Sequence, residues 1–215
     1  NYIKNLENIH SVIIKPLYFD LNNNNEIKDA FIEIHKEKRT IDVLVNNAGI
    51  SHVGLFQMTP LEKIKEILNN NFISQVSVVQ FASKFLIRQK NGVIVNIASI
   101  VGLMGNFGQA NYSASKAGLN QLARVAALEL GKDAIRVNTV HPNAVYDTGL
   151  WNPKLLKSRA DHYGMSVDEY RRSNVLKTDI ESSDVAIAVL ALAGRDFSKT
   201  TGAQVPVDGG NQRVI

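Results

Sequence analysis

The segment Gly92-Val93-Ile94-Val95-Asn96-Ile97 decides the fold class of this 215-residue chain. Its apolar residues are nearly continuous rather than alternating with polar ones, and the polar Ser99 follows shortly after them. A strand that is apolar on both sides has to be buried on both faces of its sheet, which is typical of a parallel sheet with helices above and below. The segment therefore predicts a buried central strand.

The chain on either side of this segment alternates between short apolar runs and longer stretches with helical spacing. Further strands are predicted over residues 12–19, 41–45, 135–140 and 203–207. Helices are predicted over residues 26–38, 60–68, 73–88, 111–130 and 183–193. This alternation indicates an α/β fold with a doubly wound parallel sheet, in which ligands bind beyond the carboxyl ends of the strands. No linker interrupts the pattern, so we expect a single domain over residues 1–215.

Composition excludes several classes of protein. Hydrophobic residues make up 45% and charged residues 20% of the chain, as in an ordinary globular protein. The absence of cysteine excludes disulfides and thiolate metal sites, and we expect no metal. The first ten residues are too polar for a signal peptide, and the longest apolar run, 185–193, is half the length of a membrane span. We therefore expect a cytoplasmic protein without membrane contact.

The net charge of +4 is too small to indicate a nucleic-acid partner. Its distribution is uneven, because no acidic residue occurs in the 62 residues between Glu66 and Glu129, which contain five Lys or Arg residues. A buried sheet with subunit-contact helices would carry few charges in this way. A region that accepts an anion such as a phosphate or an enolate would do the same, and both interpretations stay open.

The residues that could carry chemistry occur in a suggestive order. Tyr112 and Lys116 are four apart on a predicted helix and therefore share one face. Ser99 follows the central strand, Asn47 ends the strand before it, and Asn71 lies in the helical region between those two strands. Because the carboxyl ends of parallel strands meet at one edge of the sheet, we expect a single active site there.

These residue types suit the reduction of a carbonyl group. Hydride addition leaves negative charge on oxygen, and a tyrosine can protonate it, although its reference pKa of about 10 is poorly matched to neutral pH. We predict that the ammonium of Lys116 lowers the pKa of Tyr112, that Ser99 holds the substrate oxygen, and that Asn71 holds a water linking Lys116 to solvent. A serine hydrolase is less favoured because Ser99 lacks a Gly-x-Ser-x-Gly context.

The combination of Asn47-Ala48-Gly49, Asn71, Ser99 and Tyr112-x-x-x-Lys116 resembles the short-chain dehydrogenase/reductase family. The resemblance extends over essentially the whole chain, to Val207-Asp208-Gly209-Gly210. It implies a Rossmann-type fold, an oxidoreductase activity, NAD or NADP as cofactor, and a homotetramer built on the two long central helices. The catalytic tetrad that it implies consists of Asn71, Ser99, Tyr112 and Lys116.

The resemblance also implies a set of cofactor contacts. Asp20 would approach the adenine, Asn47 the cofactor ribose, and Lys116 the nicotinamide ribose. The full set of expected cofactor-binding residues is Asp20, Asn47, Gly49, Tyr112, Lys116, Pro142, Val145 and Thr148.

Two departures from the family pattern stand out. No glycine precedes Gly49, so the glycine-rich turn that binds the pyrophosphate is missing, and the sequence predicts a domain without its amino-terminal βαβ piece. The residue that distinguishes NAD from NADP belongs to that piece, so the preference is undecided. The family's Pro-Gly turn is replaced by Pro142-Asn143, and asparagine tolerates unusual backbone angles.

The substrate is indicated by two different segments. Residues 102–112 are similar to 3-oxoacyl-carrier-protein reductases, whereas residues 143–151 and 199–202 are more similar to sugar and polyol dehydrogenases, such as the dehydrogenase part of rhamnulose-phosphate aldolase/alcohol dehydrogenases. We expect interconversion of a secondary alcohol and a ketone on a sugar or polyol.

One alternative is a 3-oxoacyl-thioester reductase whose acyl carrier docks near Arg88 and Arg124. Another is a non-catalytic nucleotide-binding or scaffold protein.

Residues 149–182 are expected to form a lid over the substrate. Its polar and cationic side chains would suit hydroxylated or phosphorylated ligands. The alternative is that they are the solvated faces of two short helices. The side chains concerned are Trp151, Arg159, His162, Tyr163, Arg171 and Arg172.

Overall fold

The computed structural model of the chain describes residues 2–211, and its core is one parallel four-stranded sheet. The strands are adjacent in the order in which they occur in the chain. The longest pairing joins the second and third strands, from Gly92 opposite Ile135 to Ile97 opposite Val140. The strands are β1 (Val43–Asn46), β2 (Gly92–Ile97), β3 (Ile135–Pro142) and β4 (Gln204–Val207).

Nine α-helices occur within residues 2–211, and none of them combines the length and the apolar character that a bilayer span requires. Two helices begin with strong local signals. Asn152 caps one start with Pro153 at its first turn, and Ser166 forms a capping box with Glu169 at another. The helices are α1 (Tyr2–His10), α2 (Asn24–Lys36), α3 (Leu61–Leu68), α4 (Ser74–Gln89), α5 (Val101–Met104), α6 (Ala110–Leu130), α7 (Pro153–His162), α8 (Val167–Arg171) and α9 (Ser182–Ala193).

Helices cover both faces of the sheet. On one face, Leu86 of α4 and Ala123 of α6 pack in a buried cluster with Ile94 of β2. On the other face, Leu192 of α9 packs with Val95 of β2. All six residues of β2 are buried, as its continuous apolar character predicts. The predicted α/β fold with a doubly wound parallel sheet is therefore confirmed.

The strand predicted over residues 12–19 is wrong. The segment is irregular, and its side chains at Ile13 and Tyr18 are each 87% exposed. A strand needs a neighbour to receive its backbone hydrogen bonds, and no strand within residues 2–211 lies beside this segment. Phe19, at the end of the segment, and Leu21, two residues further on, pack against the cluster that joins α2 to α4.

The short helix α5 packs closely on α6 through Gly102. A Cβ atom there would lie 2.8 Å from the backbone carbonyl carbon of Lys116 and 3.0 Å from the backbone nitrogen of Ala117. Because helix backbone cannot yield as a side chain does, we expect Gly102→Ala to lower the free energy of unfolding by about 1–3 kcal/mol in urea titrations.

The matched control is Gly131→Ala. Gly131 has a φ of −59° and no heavy atom within 4 Å of an added Cβ atom. We expect this variant to keep or gain stability, by up to about 1 kcal/mol. A Gly102→Ala variant as stable as the control would contradict the close packing of α5 on α6.

Candidate active site

A cavity of about 700 Å³ opens at the carboxyl edge of the sheet. Asn47 after β1, Ser99 after β2 and Pro142 at the end of β3 all line it. The parallel arrangement of the strands brings these positions, far apart in sequence, to one edge, as the sequence predicts.

Helix α6 presents Tyr112 and Lys116 to this cavity. Lys116 is only 3% exposed, and its Nζ atom donates a hydrogen bond to the carbonyl of Ile97 at 2.9 Å. The same Nζ atom lies 5.9 Å from the centroid of the Tyr112 ring. Ser99 and Tyr112 line the same cavity, and the Ser99 hydroxyl donates a long hydrogen bond to the Pro142 carbonyl at 3.5 Å. The structure thus brings Ser99, Tyr112 and Lys116 together.

Burial controls the ionisation of both α6 side chains. It lowers the pKa of Lys116 to about 8, because the charged ammonium loses its hydration. It also raises the pKa of Tyr112, and the side chain of Ser99 offsets only part of that rise. The predicted lowering of the pKa of Tyr112 is therefore wrong for this structure, because desolvation of the phenolate outweighs the influence of its neighbours.

Asn71 lies in a single π-helical turn, Asn69–Ile73, that joins α3 to α4. Its side chain is completely buried and holds the loop after β1: Oδ1 accepts from the Ile50 amide, and Nδ2 donates to the Ile50 carbonyl, both at 2.8 Å. Nδ2 also lies 3.2 Å from Ser115 Oγ. Such turns inside helices occur frequently at functional sites.

Gly49 lies beside both the side-chain amide of Asn71 and the ammonium of Lys116. A Cβ atom at Gly49 would lie 3.2 Å from Asn71 Oδ1 and 3.3 Å from Lys116 Nζ. Because glycine has no side chain, the part of the cavity beside Lys116 Nζ stays open.

The residues expected to contact the cofactor divide into two groups. Asp20 lies apart from the cavity, on an exposed turn where its carboxylate accepts from the Asn22 amide at 2.8 Å. The others line the cavity, namely Asn47, Gly49, Tyr112, Lys116, Pro142, Val145 and Thr148. The loop after β3 differs in detail from the expected turn, because the residue with positive φ is Ala144 (49°) rather than Asn143.

The residues expected to face a ligand from a lid divide in the same way. Trp151, Arg159 and Tyr163 line the cavity, whereas His162, Arg171 and Arg172 do not. The structure adds two lining tyrosines that the sequence did not single out, Tyr146 and Tyr170. Both lie in or beside residues 149–182, and the aromatic content of this stretch was the signal for them.

His141 is a further residue that sequence reasoning missed. It is fully buried in β3, with Nδ1 3.1 Å from the Ser99 carbonyl and Nε2 2.7 Å from Gln204 Oε1. Burial lowers its pKa. A histidine directly before Pro142, at the carboxyl end of a predicted strand, was the available signal. The contact with the Ser99 carbonyl holds the backbone of Ser99, which lines the cavity.

Comparison with known proteins identifies the family of this chain. The family model for short chain dehydrogenases matches residues 1–158. The human 3-oxoacyl-(acyl-carrier-protein) reductase is 34% identical over 200 residues, which cover 91% of this chain and 77% of that protein. Carbonyl reductase family member 4 of Xenopus tropicalis is 36% identical over 194 residues, covering 90% of this chain and 76% of that protein.

Solved structures show the same fold. ElxO with NADP bound superposes with a TM-score of 0.84 at 27% identity, covering 98% of this chain and 84% of ElxO. A protein of Agrobacterium tumefaciens assigned as a gluconate dehydrogenase superposes with a TM-score of 0.89, covering 99% of this chain and 81% of that one, and its 22% identity supports the shared fold alone. The chain belongs to the short-chain dehydrogenase/reductase family.

Proposed function

We propose that this oxidoreductase interconverts a secondary alcohol and a ketone with NAD or NADP, using Tyr112 as the proton donor and acceptor. The observation that carries the proposal is the meeting of Ser99, Tyr112 and Lys116 at one cavity wall. Family membership supports the oxidoreductase class, and ElxO, which binds NADP, supports the cofactor.

The residues along the cavity fit the nicotinamide end of this cofactor. Gly49 leaves the space beside Lys116 Nζ free, and Val145 and Thr148 line the same cavity from the loop after β3. Lys116 would hold the ribose there, and the bound nicotinamide supplies or accepts the hydride. The contact of Asp20 with the adenine stays a prediction, as does the choice between NAD and NADP.

The ionisation of Tyr112 suits the reducing direction. Its raised pKa keeps the phenol protonated at neutral pH, so a proton is available for the oxygen of the ketone. The hydroxyl of Ser99 would hold the same oxygen within reach of Tyr112. The positive charge of Lys116 stabilises negative charge that develops on the substrate oxygen and on Tyr112.

Asn71 would act by holding the loop that carries Gly49. Its two hydrogen bonds to Ile50 support this role. That it also holds a water linking Lys116 to solvent stays a prediction.

We propose a sugar or polyol-type substrate, covered by residues 149–182 as a lid. The lining by Trp151, Arg159 and Tyr163 supports this choice, because it gives the cavity a polar and aromatic wall. The second candidate is a 3-oxoacyl thioester, which is favoured by curated relatives named as 3-oxoacyl-(acyl-carrier-protein) reductases. Arg88 and Arg124, which would receive the acyl carrier, are both exposed.

Nicotinamide absorbance distinguishes the two candidates. The protein would receive NAD and NADP with polyols and sugar phosphates, and NADH and NADPH with 3-oxoacyl thioesters. Tyr112-dependent turnover of the first panel supports a sugar or polyol dehydrogenase, and turnover of the second supports the thioester reductase. If a folded protein that binds cofactor turns over no substrate in either panel, a non-catalytic nucleotide-binding or scaffold role would be favoured.

We also propose that the protein is a homotetramer built on α4 and α6. Val125 and Leu128, three residues apart on α6, are 50% and 83% exposed, which leaves an apolar strip on this helix. Light scattering should give four times the chain mass. A monomer at micromolar concentration would contradict the proposal.

A further inference from the structure

The charged residues that line the cavity are all positive. Among the described residues that line it, Lys116 and Arg159 are charged, and none is an aspartate or a glutamate. Lys116 lies at the buried end, beside Tyr112. Arg159 belongs to α7 in the lid and is partly exposed. A ligand that fills the cavity therefore meets two cations, one on α6 and one on α7.

Arg159 differs from the two other arginines of the lid, because each of those has a carboxylate partner. Arg171 is paired with Asp179 at 2.6 Å, and Arg172 lies 3.6 Å from Asp168. Arg159 makes no ion pair with any residue of the described range 2–211. Its guanidinium presents several donors in a planar fork that matches a carboxylate or a phosphate.

Four aromatic rings form the wall beside Arg159. The ring centroids of Tyr146 and Trp151 are 5.1 Å apart, those of Trp151 and Tyr170 are 6.3 Å apart, and those of Tyr163 and Tyr170 are 5.8 Å apart. Burial raises the pKa of Tyr170, and the nearby charge of Arg159 offsets part of that rise. Arg159 and the four rings line the same cavity.

We propose that Arg159 binds an anionic group, a carboxylate or a phosphate, at the end of the substrate remote from the reacting carbon. The aromatic wall packs against the carbon body between the two ends. This inference rests on the proposed alcohol–ketone chemistry and narrows its substrate to an acidic hydroxy or oxo compound. A neutral polyol would leave the guanidinium without a partner of opposite charge.

Trp151 provides a direct test, because it is the single tryptophan of the chain and lies in the aromatic wall. Its fluorescence is measured while the protein is titrated with two matched pairs of probes, gluconate with sorbitol and glucose 6-phosphate with glucose. Each pair differs by its anionic group, and the pairs distinguish a carboxylate from a phosphate. The titrations are run with and without NADP.

Two variants separate the site from general charge effects. Arg159→Gln removes the charge and keeps a side chain that can donate hydrogen bonds. Lys157→Gln is the matched control, because Lys157 lies on the same helix, has a side chain 72% exposed, and pairs with Asp161 outside the cavity. Circular dichroism establishes that both variants are folded.

We expect at least one anionic probe to change the fluorescence while its neutral partner does not. Arg159→Gln should weaken that binding about tenfold or more, which is the loss expected for a charge-assisted hydrogen bond, and Lys157→Gln should leave it unchanged. Arg159→Lys should restore part of the affinity. No response to either anion, equal responses within both pairs, or full affinity in Arg159→Gln would each overturn the proposal.

The fluorescence titration measures binding alone, so its result does not depend on whether the protein catalyses a reaction. Failure of Tyr112-dependent turnover with all carbonyl substrates would reject the proposed function while anion binding at Arg159 could still be observed. Turnover of neutral ketones without anion binding would keep the function and reject this inference.

Discussion

Tyr112→Phe is expected to lower kcat for ketone reduction by about 10²–10⁴-fold, the usual contribution of a positioned general acid. The change removes one hydroxyl from a half-buried ring and leaves the packing of α6 intact. The KM for the substrate should change much less than kcat, because the ring and the cavity shape are retained.

The control is Tyr18→Phe, which removes the same hydroxyl from a side chain that is 87% exposed and lies outside the cavity. It should have wild-type activity. Stopped-flow or steady-state assays with a saturating nicotinamide cofactor measure both variants. More than a few per cent of wild-type activity in folded Tyr112→Phe would remove Tyr112 from the role of proton donor.

Lys116→Met is expected to lower kcat by about 10²-fold or more and to weaken cofactor binding. Methionine fills a similar volume without the charge, so the change isolates the ammonium group. Because burial disfavours that charge, as its pKa of about 8 indicates, the variant should keep or raise the thermal midpoint. A loss of activity with an undiminished midpoint identifies an electrostatic rather than a structural role.

The pH dependence provides the second measurement on Lys116. The side chain is charged below its pKa of about 8 and neutral above it. Wild-type reduction should therefore be fastest below pH 8 and decline as the pH rises through that value, and Lys116→Met should lose this decline. Lys132→Met, at an exposed lysine after α6, is the control. The same alkaline decline in Lys116→Met would assign it to another group.

The sequence predicted the fold from the character of its strands. The continuous apolar run of β2 requires two covered faces, and helices α4, α6 and α9 provide them. It also predicted that Ser99, Tyr112 and Lys116 would meet, because strand ends and a four-residue helical spacing are local properties with a fixed geometry.

The same reasoning was wrong where the outcome depends on neighbours. Residues 12–19 have strand-forming side chains, yet a strand exists only where another strand pairs with it. In the loop after β3 the positive φ occurs at Ala144, the residue after the Asn143 that replaces the glycine of the family pattern.

The sequence by itself therefore determined the fold class and the residues that meet at the edge of the sheet, since periodicity and spacing act over a few residues. The tertiary structure alone decided the ionisation of those residues, because desolvation depends on everything packed around a group. It raised the pKa of Tyr112, and it paired Arg171 with Asp179 while placing Arg159 at the cavity.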